Sequence, residues 1–469
     1  MTGGAMPQSR LGRGAALARL ALRVGGRYAA RSPWLIFASV DRRRELRHDL
    51  ALRTAEEVAE ELGSMKGALM KLGQMASYVD DGMPETFRTT MSRLQHRAPP
   101  MSPELAASAV AEELGAAPSR VFARWDPVPF AAASIGQVHR AITRDGRAVA
   151  VKVQYPGIAR SIASDLRNAT LLRRLGAAAF PGLDTRSLID ELGARLREEV
   201  DYRLEAQSQE LFARYYEAHP VIHVPHVVSG LSTARVLTSE LVSGAGFDEL
   251  MRWGQHERDL AAETIYRFVF RSLYRLHAFN GDPHPGNYLF HGGGRVSFLD
   301  FGLTKRFTDA DLAPLVDAVR LLVIERDGEG FRAAMERAGF LQPGAPVATE
   351  VVVDRFGHFY GTVLRDAPMT ITPAYASALV RRFFDARGPL APYTDIPRPY
   401  VVMQRINLGL YAVLGSLNAG ANWRRIAEEI WPFRSAPPST PIGEAEARWE
   451  RQRREPAAPR LGAGVWPAE

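Results

Sequence analysis

The sequence predicts an α+β fold, with a few short strands set among long helical stretches. Three observations carry this reading. Ala148–Val153 is an apolar, β-branched run around one lysine, as in a buried strand. Arg235–Val242 and Val296–Leu299 are two further strand-like runs, the second ending at Asp300. Around them, residues 41–98, 104–116, 158–219, 257–279 and 309–434 carry helical periodicity, broken at Asp80-Asp81-Gly82 and at Pro343, Pro346, Pro389 and Pro392.

In chain order this divides the protein into five parts. Residues 1–40 are a basic arm and 41–118 a helical extension. Residues 119–242 mix strands with inserted helices, and 243–434 are a helical lobe. Residues 435–469, rich in proline, alanine and charge, are expected to be a disordered tail.

Composition bounds the function. The chain has 469 residues, 46% apolar and 24% charged, which is ordinary for a globular protein. It has no cysteine, which excludes disulfides, thiolate metal sites and cysteine nucleophiles and suits a reducing, cytoplasmic setting. No apolar stretch is long enough for a transmembrane helix, and the N-terminus lacks a secretory core. Residues 1–50 hold ten arginines against Asp41, Glu45 and Asp49, which accounts for the whole net charge of +7. A basic arm on a neutral body is not a nucleic-acid-binding domain. In the arm, Arg19, Arg23, Arg27 and Arg31 recur every fourth residue, with Leu17, Leu20 and Val24 on another face. Two readings fit this: an amphipathic helix lying on an anionic membrane surface, or a disordered tail.

The chemistry concentrates in a few segments. Gly281-Asp282-Pro283-His284-Pro285-Gly286-Asn287 follows an apolar helix and precedes a strand. An aspartate with an asparagine five residues on is the catalytic-loop spacing of protein kinases. Asp282 can orient a hydroxyl or water and accept its proton, and the Asn287 oxygen can ligate magnesium. Thirteen residues later comes Asp300-Phe301-Gly302, a kinase-type metal aspartate at the end of a strand. Lys152 stands in the apolar strand where kinases keep the lysine that holds the α/β-phosphates. Only Lys66, Lys71, Lys152 and Lys305 are lysines, so an arginine-rich chain has kept this one. Upstream, Ala131-Ala132-Ala133-Ser134 occupies the place of the glycine-rich phosphate loop. A carboxylate partner for Lys152 would come from Glu198, Glu199, Asp201 or Glu205, an acidic cluster on a helix, and spacing does not choose among them. These elements predict a protein-kinase-like fold of two lobes with an N-terminal helical extension and a helical C-terminal region.

Taken together, the motifs resemble the UbiB/AarF family of atypical, protein-kinase-like proteins. Features foreign to ordinary kinases match too: Lys71-Leu72-Gly73-Gln74 is similar to the family's KxGQ motif and Glu199-Val200-Asp201 to its ExD motif. The alanine-rich loop and Val153-Gln154-Tyr155-Pro156-Gly157 match as well. The resemblance implies that Lys152 contacts phosphates and pairs with Glu205, and that Asp282 is the catalytic aspartate. It implies Asn287 and Asp300 as magnesium ligands with Glu199 near the metal, and Lys71 and Gln74 reaching the nucleotide. Glu240-Leu241-Val242 would be the hinge, with Glu240 and Val242 reading adenine. The implied cofactors are ATP and Mg2+. The implied activity is ATP hydrolysis or phosphorylation of a lipid-like or small molecule, in support of isoprenoid-quinone metabolism. A lipid or quinone-precursor ligand follows, with attachment to the inner face of the membrane through the basic arm. The chain departs from the family at Asn280, where many members carry histidine, in the 53 residues from Lys152 to Glu205, a span that suits the family's inserted helices, and in lacking the C-terminal membrane segment of some members.

Two other classes fit part of the pattern. A small-molecule phosphotransferase of the aminoglycoside-kinase type shares the aspartate followed by HPGN, but lacks the KxGQ and ExD segments. A nucleotide-switched, non-catalytic lipid-binding protein would not need the full set of Lys152, Asp282, Asn287 and Asp300.

Overall fold

The computed structural model describes residues 101–133, 135–158, 200–280, 283–384, 388–395 and 397–453. The basic arm, the KxGQ segment with Lys71 and Gln74, Ser134, Glu198, Glu199 and Asp282 lie outside the described residues. The fold class is the expected α+β. Two compact units form: one from the residues up to Leu204 together with Val228–Thr238, the other from Glu205–Val227 together with Ser239 onward. The unit boundaries therefore run through a helix and a strand, whereas the sequence reading put one boundary after Val242.

Among the described residues, the first unit starts with helix α1 (Pro103–Leu114), capped by Ser102, whose hydroxyl accepts from Leu105 N, and ended by Gly115 at φ 75°. An antiparallel sheet follows: β1 (Arg124–Trp125), β2 (Ala131–Ala133), β3 (Gly136–Ile142) and β4 (Ala148–Gln154). A further strand, β6 (Val236–Glu240), closes the order β1-β3-β4-β6, with β2 folded onto β3. Alternation sets the faces of β4. Val149, Val151 and Val153 are buried against Ala106, Ala109 and Val110 of α1, so Ala150, Lys152 and Gln154 share the opposite face. At Gly136 a Cβ would come 2.2 Å from the Val153 carbonyl oxygen, so only glycine lets β3 approach β4 there.

The second unit begins within helix α2 (Tyr202–Tyr215) and includes β5 (Ile222–His223). Its central helix, α3 (Gln255–Arg275), is buried along most of its length. Strands β7 (Ala278–Asn280), β8 (Tyr288–His291), β9 (Arg295–Phe298) and β10 (Thr304–Arg306) follow. β9 runs parallel to β5 and antiparallel to β8, while β7 pairs with β10. Helices α4 (Asp309–Val319), α5 (Gly328–Arg337), α6 (Thr349–Gly357), α7 (Pro373–Phe384), α8 (Arg398–Ser416) and α9 (Trp423–Ile430) complete the large core. The stretch 309–434 is not wholly helical, because β11 (Met369–Ile371) and β12 (Ala419–Ala421) pair within it. Among the described residues no helix is long and apolar enough to cross a membrane.

The expected disordered tail is corrected in part. Pro441–Arg453 forms helix α10, with Ile442, Glu446 and Trp449 buried. Its anchor is ionic. Arg267 of α3, wholly buried, donates to Glu263, Glu429 and Glu446 at 2.8 Å each. Arg271 pairs with Glu446 and Glu450. Two buried guanidinium groups need this carboxylate set, since an unpaired buried charge is strongly destabilising.

Candidate functional site

In the first unit, Lys152 lies opposite Val138 in the β3–β4 ladder. Its ammonium stands 4.8 Å from the centroid of the Tyr202 ring, a cation–π contact. The alanine-rich loop is a hairpin edge: Ala131, Ala132 and Ala133 pair with Val138, Gln137 and Gly136. Ala131 and Ala132 are exposed. Gln137 is buried and tied on both sides: its Oε1 accepts from Met101 N at 2.9 Å, and its Nε2 meets His139 Nε2 at 2.9 Å.

Gln154, on the same face of β4 as Lys152, reaches two distant backbones. Its Nε2 donates to Val200 O at 2.9 Å and Ala234 O at 3.2 Å. Its Oε1 is buried with no donor among the described residues, a cost of about 1–3 kcal/mol. Val200 belongs to the ExD segment, which is thereby tied to the lysine strand. Asp201 does not lie on a helix as the acidic cluster was expected to. It precedes α2 and accepts from Arg203 N at 3.0 Å, with the Arg203 guanidinium on the same carboxylate. Chiefly that guanidinium hydrogen bond holds Asp201 below the usual carboxylate range.

In the second unit, the residues around Asp300 converge. Asp300 Oδ1 accepts from Gly302 N at 2.9 Å, closing a tight turn. A Cβ at Gly302 would lie 3.3 Å from Asp300 Oδ1 and 3.7 Å from Glu205 Oε2, so the two carboxylates flank one glycine. Glu205 is buried in the first turn of α2. One helical stretch further, Phe212 packs on Phe301 at 4.9 Å between centroids, fixing the helix against the turn. Asn287 ends a 3-10 turn, Pro285–Asn287, begun by His284, whose Nδ1 accepts from Gly286 N. Asn287 O accepts from Leu299 N at 3.0 Å, which joins the loop to the residue just before Asp300. Asn280 Nδ2 donates to Asp300 O at 2.8 Å. The loop is thus fastened to the Asp300 turn from both ends. On its other side buried Pro283 meets Gly409 of α8.

At the expected hinge, Glu240 Oε2 lies 3.3 Å from His223 Nε2, and Glu240 N donates to His226 O at 2.9 Å. The His223 contact chiefly holds the Glu240 carboxyl below its ordinary range. Leu241 and Val242 continue as irregular, half-buried backbone. Of the predicted site residues, Glu205 and Asp300 flank Gly302 within the second unit, with the Asn287 backbone bonded to Leu299, and the alanine loop and Lys152 share the sheet of the first. Sequence reasoning did not assign roles to Gln154, Gly302 and Gly409. Gln154 lay inside a quoted motif, but its partners are 46 and 80 residues away.

The oxygen donors near Asp300 are of the types magnesium accepts. Asp300 and Asn287 offer carboxylate and carboxamide oxygens, with no sulfur, and magnesium takes few protein oxygens alongside phosphate and water.

Comparison with known proteins bears on the same residues. A model of the ABC1 atypical kinase-like domain matches residues 93–334. The mitochondrial atypical kinase COQ8B of Rattus norvegicus is 35% identical over 256 residues, covering 54% of this chain and 48% of that protein. An uncharacterized protein of Synechocystis is 30% identical over 410 residues, covering 85% of this chain and 59% of its own length. The chain thus spans about half the length of the curated relatives it matches. Among solved structures, a complex of Rv3197 with erythromycin from Mycobacterium tuberculosis matches with a TM-score of 0.60 and 30% identity, covering 83% of this chain and 98% of that one.

Proposed function

Because the chain belongs to the ABC1 atypical kinase-like family, the UbiB/AarF family its motifs resemble, we propose that it binds Mg-ATP and acts as an ATPase or small-molecule kinase supporting isoprenoid-quinone or lipid metabolism at a membrane surface. One observation carries this reading most. Asn287 and Asp300, thirteen residues apart, are fastened to one frame by the Leu299 N to Asn287 O and Asn280 Nδ2 to Asp300 O bonds, with Glu205 beside the same turn.

In this reading Lys152 and the backbone of Ala131–Ala133, with Ser134, hold the phosphates. Lys152 pairs with Glu205, and Asp282 orients water or an acceptor hydroxyl and takes its proton. Asn287 and Asp300, with Glu199, hold magnesium, which supplies charge neutralisation on the phosphates. Lys71 and Gln74 reach the nucleotide from the helical extension, and Glu240 and Val242 offer backbone to adenine. The extension makes a peptide acceptor the less favoured one. The basic arm, residues 1–40, attaches the protein to the inner, anionic face of a membrane.

The test is ATP turnover by the purified protein, with and without anionic liposomes and a phenolic quinone-precursor analogue. Stimulated phosphate release without a phosphorylated product supports an ATPase, and stoichiometric transfer to the phenol supports a kinase. No magnesium-dependent nucleotide binding under any condition overturns the reading. The mycobacterial neighbour's erythromycin complex supports including a macrolide among the ligands. Deleting residues 1–32 should abolish liposome binding, and unchanged binding would remove the membrane role of the arm.

A further inference from the structure

The Lys152 side chain shares its face of β4 with Gln154, two residues on. Beneath the ammonium lies the wholly buried Tyr202, the first residue of α2, with its ring centroid 4.8 Å from Nζ. A ring in that place can only be useful if its own backbone is fixed, and three bonds fix it. Tyr202 N donates to Ala234 O at 2.9 Å. Gln154 Nε2 donates to the same Ala234 oxygen and to Val200 O, two residues before Tyr202. Gln154 N donates to Arg235 O at 3.0 Å, so the backbone that receives Tyr202 is itself laced to β4. Both N–H bonds of the Gln154 amide are spent on this knot, which also fixes the amide's orientation.

We propose that Tyr202, seated by Gln154, is a positioning residue for Lys152: its ring carries the ammonium and sets the direction in which the lysine can point. A lysine has four rotatable bonds and no geometric preference of its own. An aromatic face on one side removes part of that freedom and favours the charged form. The inference deepens the phosphate-binding reading of Lys152 and rests on it for its purpose, though not for its geometry.

The scarcity of lysine makes the test clean. The full-length protein is treated with an amine-acylating reagent, and labelling at Lys152 is measured against Lys305 by mass spectrometry. Tyr202→Leu should raise the Lys152 to Lys305 ratio roughly threefold or more, because the amine loses its cation–π partner. It should also weaken binding of a fluorescent ATP analogue. Tyr202→Phe keeps the ring and should restore both. Gln154→Met, which keeps volume but donates nothing, should shift both in the direction of Tyr202→Leu. A merely structural role would lower the melting temperature without moving the labelling ratio. An unchanged ratio in folded Tyr202→Leu overturns the proposal. Should that variant not fold, Tyr202→Met serves with the same criterion. ATP protection of Lys152 in the wild type is a separate readout. If ATP leaves Lys152 labelling unchanged while Tyr202→Leu still raises it, the phosphate reading fails and the seat stands.

Discussion

Gly409, in the middle of α8, sits against Pro283 of the loop so closely that a Cβ there would come 2.6 Å from Pro283 Cγ. Real side chains do not tolerate that distance, and a proline ring, unlike a flexible side chain, can give way only by moving its backbone. The helix lies beyond residue 334, where the family match ends, yet it backs Pro283, in the loop that leads to Asn287.

Gly409→Ala separates two effects. Alanine gains about 1 kcal/mol of helix propensity over glycine. Overpacking costs about 1–3 kcal/mol, and Pro283 must yield. The expected result is a small change in melting temperature with turnover reduced roughly ten- to a hundredfold, since displacement by about 1 Å is enough for that. Nucleotide affinity, read by equilibrium binding, should hold. A variant with normal turnover would show that Pro283 relaxes without moving its neighbours.

Asn280 is argued from the other end of the loop. Its Nδ2 donates to the carbonyl of Asp300 from the last position of β7. Asn280→Ala leaves that carbonyl without its donor, at about 1–3 kcal/mol, and frees the turn that aims the Asp300 carboxylate. Asn280→His supplies a ring N–H in the same place. We expect the alanine variant to lose both stability and magnesium-dependent nucleotide binding, and the histidine variant to keep the binding. Equal loss in both would show that asparagine's size matters more than its donor.

These two residues also show what the sequence can and cannot disclose. The lysine strand is legible because Ala148–Val153 is a short apolar, β-branched run, and the structure buries Val149, Val151 and Val153 of it on one face. Asp300 was legible because a short apolar strand delivers it. Gly409 and Gln154 were not, because each acts on a partner far along the chain, and no local periodicity records that. Helix α10 was missed for a different reason. Its buried face is built around Glu446 and Trp449, and the charge of Glu446 is matched by Arg267 and Arg271, some 180 residues away. A segment that buries charge against charge reads as polar and unstructured. Strands β11 and β12 were missed because three-residue strands owe their existence to each other.

The same ionic knot predicts the acid limb of stability. Burial alone would raise the Glu446 pKa, but the His219 hydrogen bond and the charges of Arg271 and Arg267 outweigh it and bring it to about 2. His219 Nε2 faces Glu446, while its Nδ1 accepts from Ile222 N at 3.0 Å. That geometry needs the neutral ring, and burial likewise pushes the His219 pKa down. Both folded-state values lie below the ordinary ones of about 4.5 and 6.5. Both groups therefore contribute stability above those values and lose it as pH falls. Melting temperature should decline first below the ordinary histidine value, then more steeply from the ordinary glutamate value down to about 2. Glu446→Gln should cost about 3–5 kcal/mol at neutral pH by stripping one partner from two buried guanidinium groups, and should flatten the lower part of the limb. An unaltered acid limb in that variant would assign the transition to other carboxylates.

Asp300→Asn tests the metal assignment with the least disturbance to the fold. The Oδ1 that accepts from Gly302 N can be replaced by the amide oxygen of asparagine, so the tight turn keeps its bond. Only the charge is lost. A unit charge beside a cation at about 4 Å, with an effective dielectric of about 20, is worth about 4 kcal/mol, or roughly a thousandfold in affinity. We expect a folded protein with an unshifted melting temperature, near-normal nucleotide binding without metal, and no gain in affinity on adding magnesium. Asn287→Ala should weaken the magnesium response less, because it removes a neutral oxygen. If Asp300→Asn keeps the full magnesium response, the carboxylate next to Gly302 is a structural cap, and the metal must be sought at other oxygens.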